Sequence, residues 1–321
     1  MLKVENLKVS FEDRATKREI RACDDVSLHV GEGEIVGLVG ESGCGKSTLG
    51  RTIVGLERAS SGRIEIGGAD VLALRGRERR AARRQAQYIF QDPYTALVPD
   101  QTIGGALDEA MQIAGESNAR ARQLRTRELL AEVGLQMDVI DRQPRELSGG
   151  QRQRACIARS LVVNPKVLIC DEPVASLDVS IRAQVMNLFL KLRDEKGVAI
   201  LFVAHDLAVV RQAASRVYVM YLGRIMESGG SGDLYGDPIH PYTRSLLSAV
   251  LHSDPRLERH RERIVLEGDV PSPADPPSGC RFRTRCPVAQ QICTTVPPVV
   301  ERNGRFAACH LADAARVGAF E

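Results

Sequence analysis

The sequence has no apolar run that approaches the ~20 residues needed for a membrane-spanning helix. Residues 1–6 do not resemble a signal peptide, so we expect a cytosolic chain that meets a membrane only through partners. A large excess of charge of one sign is also lacking: the formal net charge of the 321 residues is +3, and the charges are well mixed. Short-period repeats and long low-complexity tracts are absent. What remains is a globular chain of one large or two ordinary domains, with no implied polyanionic partner.

Residues 74–84 are the exception to the mixed charge, because they contain six arginines. Such a run could bind nucleic acid. It has no interleaved aromatic residues, however, so we favour a solvated helix face and predict no nucleic-acid partner.

Residues 40–48 read Gly-Glu-Ser-Gly-Cys-Gly-Lys-Ser-Thr, between a strand-like run and a helix-like run. In that context the pattern is a P-loop. Glycines let backbone N–H groups curl around a phosphate, and the helix N-terminus adds partial positive charge. Lys46 can reach the β- and γ-phosphates, and the Ser47 hydroxyl can ligate Mg²⁺. The predicted nucleotide-binding residues here are Gly40, Gly43, Cys44, Gly45, Lys46, Ser47 and Thr48.

A second anion cradle is predicted at residues 147–151, Leu-Ser-Gly-Gly-Gln, directly before a helix-like run. Ser148 can cap that helix, and the glycines expose N–H groups. Two cradles so far apart in one chain suggest that they serve different sites. The predicted contact residues are Ser148, Gly149, Gly150 and Gln151.

Residues 167–170 are apolar and predict a buried strand, which is followed by Asp171 and Glu172. Ligands of open parallel sheets bind at the carboxyl ends of strands. Two solvated carboxylates at a strand end would be the alternative. In a chain that also has a P-loop, we favour a functional pair.

The ordered set of motifs resembles the ATP-binding subunits of ABC transporters. The set consists of the P-loop, Gln91 as the Q-loop, the signature at 147–151, the Walker B strand at 167–172, the D-loop Ser176-Leu177-Asp178, and the switch His205. The resemblance implies an α/β fold, namely a P-loop NTPase ABC ATPase domain with a RecA-like core. This domain would span residues 1–250, with a helical subdomain at about 92–160. Leu124, Leu129, Leu130 and Val133 recur at helical spacing in that region and predict a helix over residues 120–133.

The same resemblance implies residue roles. Asp171 and Ser47 would hold Mg²⁺, with Gln91 beside them. Glu172 would orient and polarise the attacking water, and His205 would bond to the γ-phosphate and that water. Phe11 would stack on adenine, although a core strand residue is an open alternative. Asp178 joins the predicted nucleotide-binding set. Two such domains dimerise head to tail in this family, so each signature would complete the phosphate site of the other.

The C-terminal part looks like the tail of the oligopeptide/dipeptide branch of ABC importers, which includes nickel importers. The resemblance lies in residues 237–243, 268–273 and 276–287, and in the upstream segments 88–94 and 219–223. One departure concerns coupling to a permease. The branch usually follows the Q-loop with Ser-Leu-Asn-Pro-Arg, whereas residues 96–100 are Ala-Leu-Val-Pro-Asp.

Residues 251–321 are predicted to form a short Cys-rich C-terminal extension, with Cys280, Cys286, Cys293 and Cys309 as a cluster. Disulfides do not suit a reducing cytosol. Structural zinc prefers closer cysteines than the intervals of five, six and fifteen residues seen here. Four thiolates suit a [4Fe–4S] cluster, and a similar tail in this branch is associated with one. A Pro-rich tail with few large apolar residues would also be stabilised by the cross-link that a metal cluster provides. We therefore predict an iron–sulfur cluster, with zinc as runner-up and free buried thiols as a further alternative.

Together these patterns predict the ATP-hydrolysing motor subunit of an importer for peptides or similar small solutes. The resemblance implies a second ABC ATPase subunit, usually a homologue, together with two membrane permeases and an extracytoplasmic solute-binding protein. It implies a peripheral position on the cytoplasmic face of the inner membrane. The alternative is a soluble ABC ATPase acting on ribosomes or DNA. Those usually carry two ATPase domains or a long coiled coil, whereas this chain has one P-loop and no sustained heptads.

Overall fold

The computed structural model of the chain describes residues 1–13, 17–175, 177–250, 264–302 and 304–312. Ser176 of the predicted D-loop lies outside the described residues, as do 251–263 and 313–321 of the predicted extension. The strands are β1 (Leu2–Glu12), β2 (Glu19–Val30), β3 (Ile35–Val39), β4 (Ser61–Ile66), β5 (Ala69–Asp70), β6 (Ala86–Ile89), β7 (Val167–Asp171), β8 (Ala199–Ala204), β9 (Arg216–Tyr221), β10 (Arg224–Gly230), β11 (Val299–Arg302) and β12 (Arg305–Ala308). The α-helices are α1 (Lys46–Val54), α2 (Gly76–Arg84), α3 (Pro93–Ala96), α4 (Ile103–Ala114), α5 (Ala119–Glu132), α6 (Gly149–Leu161), α7 (Val179–Lys196), α8 (Leu207–Arg211), α9 (Ser231–Gly236) and α10 (Pro241–Ser248).

The described chain divides into two compact units. The first comprises Met1–Leu2, Val30–Glu34 and Glu65–Leu201. The second comprises Lys3–His29, Ile35–Ile64 and the described residues from Phe202 onward. The predicted P-loop and the C-terminal region therefore belong to the second unit, and the signature and acidic pair belong to the first.

The second unit is built on strands in the order β11-β12-β10-β9-β3. Strands β3 and β9 are parallel, with Val36 opposite Arg216 and Val39 opposite Val219, and β10 is antiparallel to both β9 and β12. All five residues of β3 are buried, as expected for a strand covered on both faces. Strands β2, β1 and β4 neighbour one another in a separate sheet. Buried and exposed residues alternate along β1, with a shift of one residue at Asn6, so this sheet has one packed face.

The first unit contains the parallel pair β6 and β7, and the helices α4, α5 and α6 follow the predicted helix-rich order. Side chains at the helix starts accept backbone N–H groups and so satisfy donors that have no partner inside the helix. Thr102 does this for α4, Asn118 for α5 and Ser148 for α6. The helix predicted over residues 120–133 is α5, but Leu124 is 61% exposed and does not belong to its buried face.

No helix among the described residues is both long enough and apolar enough to cross a bilayer.

Candidate functional site

The predicted phosphate loop connects the buried strand β3 to helix α1, whose first residue is Lys46. Gly45, directly before the helix, has a φ of 108°, in the region that a Cβ disfavours. Gly43 has a φ of 76°, and no described atom outside its two neighbours in the chain lies within 4 Å of the place where its Cβ would be. Ser47 and Thr48 follow Lys46 in the first turn of α1. The loop is thus curled as an anion cradle at a helix N-terminus and is open at Gly43.

Two glycines of the loop are required by close packing. A Cβ at Gly40 would be 2.1 Å from the carbonyl oxygen of Met220, and one at Gly45 would be 2.0 Å from that of Ala22. Both neighbours are backbone atoms of strands, so they cannot move aside without distorting a packed sheet. The second unit therefore admits no side chain at either position.

Lys46 lies across its own loop. Its ammonium donates to the carbonyl oxygens of Gly40 at 2.7 Å and Glu41 at 2.9 Å, and the residue is only 5% exposed. A phosphate oxygen would be a stronger acceptor than either carbonyl, because its negative charge adds a Coulombic attraction to the ammonium. Lys46 is therefore held where a bound phosphate would compete for its ammonium.

Cys44, a member of the predicted phosphate-binding set, makes contacts through both its thiol and its backbone: the Lys46 ammonium donates to the sulfur at 3.7 Å. The side chain is buried, and burial raises the pKa of the thiol. The Cys44 carbonyl accepts the backbone N–H of Gly223 at 2.8 Å, which ties the loop to the turn between β9 and β10.

The predicted acidic pair lies at the end of β7 in the first unit. Asp171 is buried and accepts a hydrogen bond from the Tyr88 hydroxyl at 2.5 Å. Glu172 accepts one from the side-chain amide of Gln91 at 2.7 Å. Its φ of 45° is unusual for a residue with a Cβ, and backbone outliers of this kind, which cost about 1–3 kcal/mol each, concentrate at functional sites. The unit thus brings Gln91 and Glu172 together and adds Tyr88, a contact that the sequence analysis missed.

The predicted second cradle is the N-terminus of α6, also in the first unit. The Ser148 hydroxyl accepts the N–H of Gln151 at 3.3 Å, and the Gln151 side chain accepts the N–H of Ser148 at 3.0 Å. This is a capping box. A Cβ at Gly150 would be 2.3 Å from Cγ2 of Ile181, so this glycine lets α6 approach α7. Asp178 caps α7 by accepting the N–H of Ile181, and that hydrogen bond lowers the pKa of its carboxyl.

Phe11 and His205 both belong to the second unit. Phe11 lies on β1 and is 39% exposed, which removes the alternative that it is a core residue. His205 directly follows β8 and is exposed, and the next residue, Asp206, caps α8. Their contacts with a nucleotide stay predictions.

The prediction of a metal cluster in the C-terminal extension is wrong. Among the described residues, which include all four cysteines of the cluster, no group of three or more Cys, His, Asp or Glu side chains is arranged to hold a metal ion. This finding overturns the [4Fe–4S] assignment and also its zinc runner-up. The residues concerned, Cys280, Cys286, Cys293 and Cys309, are free cysteines.

Three of the four thiols are buried, and Cys286 is partly buried. Burial raises the pKa of Cys286 to about 12 and that of Cys309 to about 11, so both thiols are uncharged near neutral pH. Cys309 packs with Ile239, Ala307 and Ala312 in a small apolar cluster. It therefore behaves as a small hydrophobic residue.

Two family models match the chain. The model described as ABC transporter matches residues 23–175, and the model described as oligopeptide/dipeptide transporter, C-terminal region, matches residues 226–293. A Bacillus subtilis (strain 168) protein named putative oligopeptide transport ATP-binding protein YkfD is 49% identical over 314 residues, which cover 97% of this chain and 95% of that protein. The oligopeptide transport ATP-binding protein OppF of Salmonella typhimurium is 46% identical over 96% of this chain and 94% of its own length.

Solved structures give the same picture of the fold. A dimeric post-hydrolysis ATP-binding cassette, MJ0796 bound to ADP and Pi, matches with a TM-score of 0.65 and 29% identity over 72% of this chain and 99% of that chain. The cbiO1 chain from Clostridium perfringens, part of the ABC transporter complex cbiONQ, matches with a TM-score of 0.64 and 28% identity over 74% and 90% of the two chains. These similarities confirm the predicted α/β P-loop ATPase fold.

Proposed function

The chain belongs to the ABC transporter family and is one of its ATPases, and from that premise we propose that it drives the import of peptides. Relatives that match nearly the whole chain are named for oligopeptide transport, and the C-terminal region matched at residues 226–293 is described by the same solute class. The alternative of a soluble ATPase acting on ribosomes or DNA is not favoured, because the relatives that match nearly the whole chain are named as transport proteins.

The proposed nucleotide site is built first on the phosphate loop of the second unit. The glycines and N–H groups of residues 40–48 would surround the phosphates, with the Lys46 ammonium as their cation. Phe11 would contribute an exposed ring for adenine. The observation that supports this most directly is Lys46 itself, which is buried and donates to its own loop at 2.7 and 2.9 Å.

The donor set fits Mg²⁺. Ser47 offers a hydroxyl and Asp171 a carboxylate, and both are the hard oxygen ligands that this ion prefers. Gln91 uses its amide nitrogen on Glu172, which leaves its amide oxygen as the atom suited to a cation. When bound, Mg²⁺ would neutralise developing charge on the phosphates.

Glu172 is proposed to orient and polarise the attacking water, acting as a general base at most. The Gln91 amide already fixes one of its carboxylate oxygens at 2.7 Å, so the direction of the carboxylate is set before a substrate arrives. His205 is proposed to bond to the γ-phosphate and the attacking water.

In the proposed assembly two ATPase subunits associate head to tail. Ser148, Gly149, Gly150 and Gln151 of each subunit would then complete the phosphate site of the other, with Asp178 nearby. The remaining partners would be two permeases and an extracytoplasmic solute-binding protein, and the subunit would lie on the cytoplasmic face of the membrane. Residues 1–250 would be the ATPase domain, with its helical subdomain at about 92–160, and residues 251–321 the Cys-rich C-terminal extension.

A complementation experiment tests the proposed function. A strain lacking this chain should lose ATP-dependent uptake of labelled short peptides and regain it with the wild-type chain. The Lys46→Ala chain should not restore uptake, since the ammonium proposed to bind the phosphates is lost. Nickel uptake in the same strains is the control for solute class. Peptide uptake that is normal in the deletion strain would contradict the proposal.

A further inference from the structure

The C-terminal region contacts the phosphate loop directly, within the second unit. The backbone N–H of Glu41, the second residue of the loop, donates to the Tyr242 hydroxyl at 2.9 Å. The Glu41 carboxylate accepts a hydrogen bond from the Arg285 guanidinium at 2.7 Å. Tyr242 lies on α10 and Arg285 in the tail, so both residues follow the part of the chain that matches the ABC transporter model.

Glu41 is consequently held from three sides. Its N–H is bound by Tyr242, its side chain by Arg285, and its carbonyl oxygen by the Lys46 ammonium at 2.9 Å. A backbone N–H supplies a single donor. The Glu41 N–H is already bound to the C-terminal region. The N–H groups that remain for a phosphate are therefore those of the loop residues after Glu41.

Tyr242 is itself rigidly held. Its ring is fully buried and packs against Tyr221 and Phe282, with ring centroids 4.8 and 5.2 Å away. Burial raises the pKa of its hydroxyl, which therefore remains neutral and can both accept and donate. The cluster joins strand β9, helix α10 and the tail, so the hydroxyl has a fixed position relative to Glu41.

A second connection reaches the other end of the loop. The Arg281 guanidinium donates to the carbonyl oxygen of Leu222 and to the carboxylate of Asp24. Leu222 adopts a φ of 43°, and the next residue, Gly223, donates its N–H to the Cys44 carbonyl at 2.8 Å. The tail thus contacts the phosphate loop directly at Glu41 and indirectly at Cys44.

We infer that Tyr242 and Arg285 of the C-terminal region are positioning residues for ATP binding. They hold Glu41, whose carbonyl oxygen accepts a hydrogen bond from the Lys46 ammonium, and through this contact they increase the affinity of the phosphate loop for ATP. This inference rests on the ATPase function proposed above for residues 40–48. The C-terminal region, which is matched by the oligopeptide/dipeptide transporter model, would thus help to shape the ATP site.

Two substitutions test the inference in the full-length chain. Tyr242→Phe removes one hydroxyl and keeps the ring packing, and Arg285→Gln removes the guanidinium. Each should raise the Kd for ATP about tenfold, as expected for loss of one hydrogen bond that is buried or made to a charged group. In the assembled complex the KM for ATP should rise similarly, while kcat should change less than about twofold, because Glu172 and its contacts are untouched.

Matched controls separate positioning from general destabilisation. Tyr235→Phe also removes a partly buried hydroxyl, one that donates to the Leu207 carbonyl at 2.5 Å rather than to the loop. Arg283→Gln removes a tail arginine whose side chain donates to the carbonyl oxygen of Ser278 at 2.8 Å and to its hydroxyl at 3.3 Å. Both controls should leave the Kd for ATP unchanged, and the thermal midpoint of every variant, measured alongside, separates a loss of stability from a loss of affinity. Arg285→Lys should restore part of the affinity.

A double-mutant cycle decides whether Arg285 acts through Glu41. Glu41→Gln alone should raise the Kd for ATP as Arg285→Gln does, and adding Arg285→Gln to it should have little further effect. If Arg285→Gln does not fold, Glu41→Gln removes the same ion pair from a side chain that is 23% exposed, and wild-type affinity in it would overturn the inference. Wild-type affinity in Tyr242→Phe and Arg285→Gln, or fully additive effects in the cycle, would also overturn it. ATP affinity is the readout, so a failure of peptide uptake would reject only the proposed transport function.

Discussion

Helix α10 begins with a histidine that should make the protein sensitive to acid. The His240 Nδ1 accepts the backbone N–H of Tyr242 at 3.1 Å, and the side chain is buried. Burial lowers the pKa of His240 from 6.5 to about 3, with a smaller opposing effect from the backbone of Ala308. A protonated Nδ1 could not accept the Tyr242 N–H, so protonation would remove the helix cap as well as bury a charge.

The sign and size of the effect follow from proton linkage. The folded pKa is depressed, so the unfolded chain binds more protons between pH 3 and 6.5, and stability falls as the pH falls through that window. With pKa values of about 3 folded and 6.5 unfolded, His240 lowers the free energy of unfolding by about 2 kcal/mol between pH 7 and pH 5. Glu227, whose carboxylate accepts the backbone N–H of His240, acts in the opposite sense, because burial raises the pKa of its carboxyl. Arg305 and Asp237 are the other charged groups beside this pair.

Urea unfolding of the wild type and His240→Asn at pH 7 and pH 5 isolates the histidine. Asparagine can cap a helix but does not titrate, so effects from Glu227 and other groups largely cancel between the two proteins. The wild type should lose about 2 kcal/mol more than the variant over this interval. Parallel losses in the two proteins, or a His240 resonance that titrates near pH 6.5 in the folded protein, would refute the reasoning.

Three further outcomes are expected. Glu172→Gln should keep ATP binding and reduce ATPase turnover in the complex by on the order of 10² or more, since the amide cannot accept a proton; near-normal turnover would contradict the role of Glu172. Gly45→Ala should abolish binding of a fluorescent ATP analogue, because its Cβ would be 2.0 Å from the Ala22 carbonyl, whereas Gly232→Ala in α9, with open space around it, should bind normally. Gly150→Ala should destabilise the chain by about 1–3 kcal/mol through overpacking against Ile181, and Gly149→Ala, whose nearest neighbour is 3.6 Å away, should unfold like the wild type at matched urea.

Local patterns could be predicted from the sequence because their chemistry lies in consecutive residues. The loop at 40–48 and the strand that ends at Asp171 are of this kind. The Tyr88 contact with Asp171 could not be predicted in the same way, because it depends on the register of β6 against β7, with Tyr88 opposite Ile169. The exposure of Leu124 likewise depends on which face of α5 finds a partner.

Contacts between distant parts of the chain were the hardest to predict from the sequence. Glu41 occupies a variable position of the P-loop pattern, and the sequence offers no local reason to pair it with Arg285 or Tyr242. Only the return of the tail to the second unit brings these three residues together. Gly150 shows the converse: the sequence correctly placed it at a helix N-terminus, but its contact with Ile181 requires the packing of α6 on α7.

The error over the cysteines came from treating the tail as a domain that must stabilise itself. A segment with few large apolar residues does need a staple if it folds alone. The tail instead contributes to the core of the second unit: β12 extends the sheet beside β10, and Phe282 is fully buried against Tyr221 and Tyr242. Burying one such side chain stabilises the fold by about 2–3 kcal/mol. A few of these contacts can therefore hold the tail in place without a metal cross-link. The contacts that stabilise the tail are the same ones that place Tyr242 and Arg285 against the phosphate loop, which is why its fold and its proposed influence on ATP affinity have one physical origin.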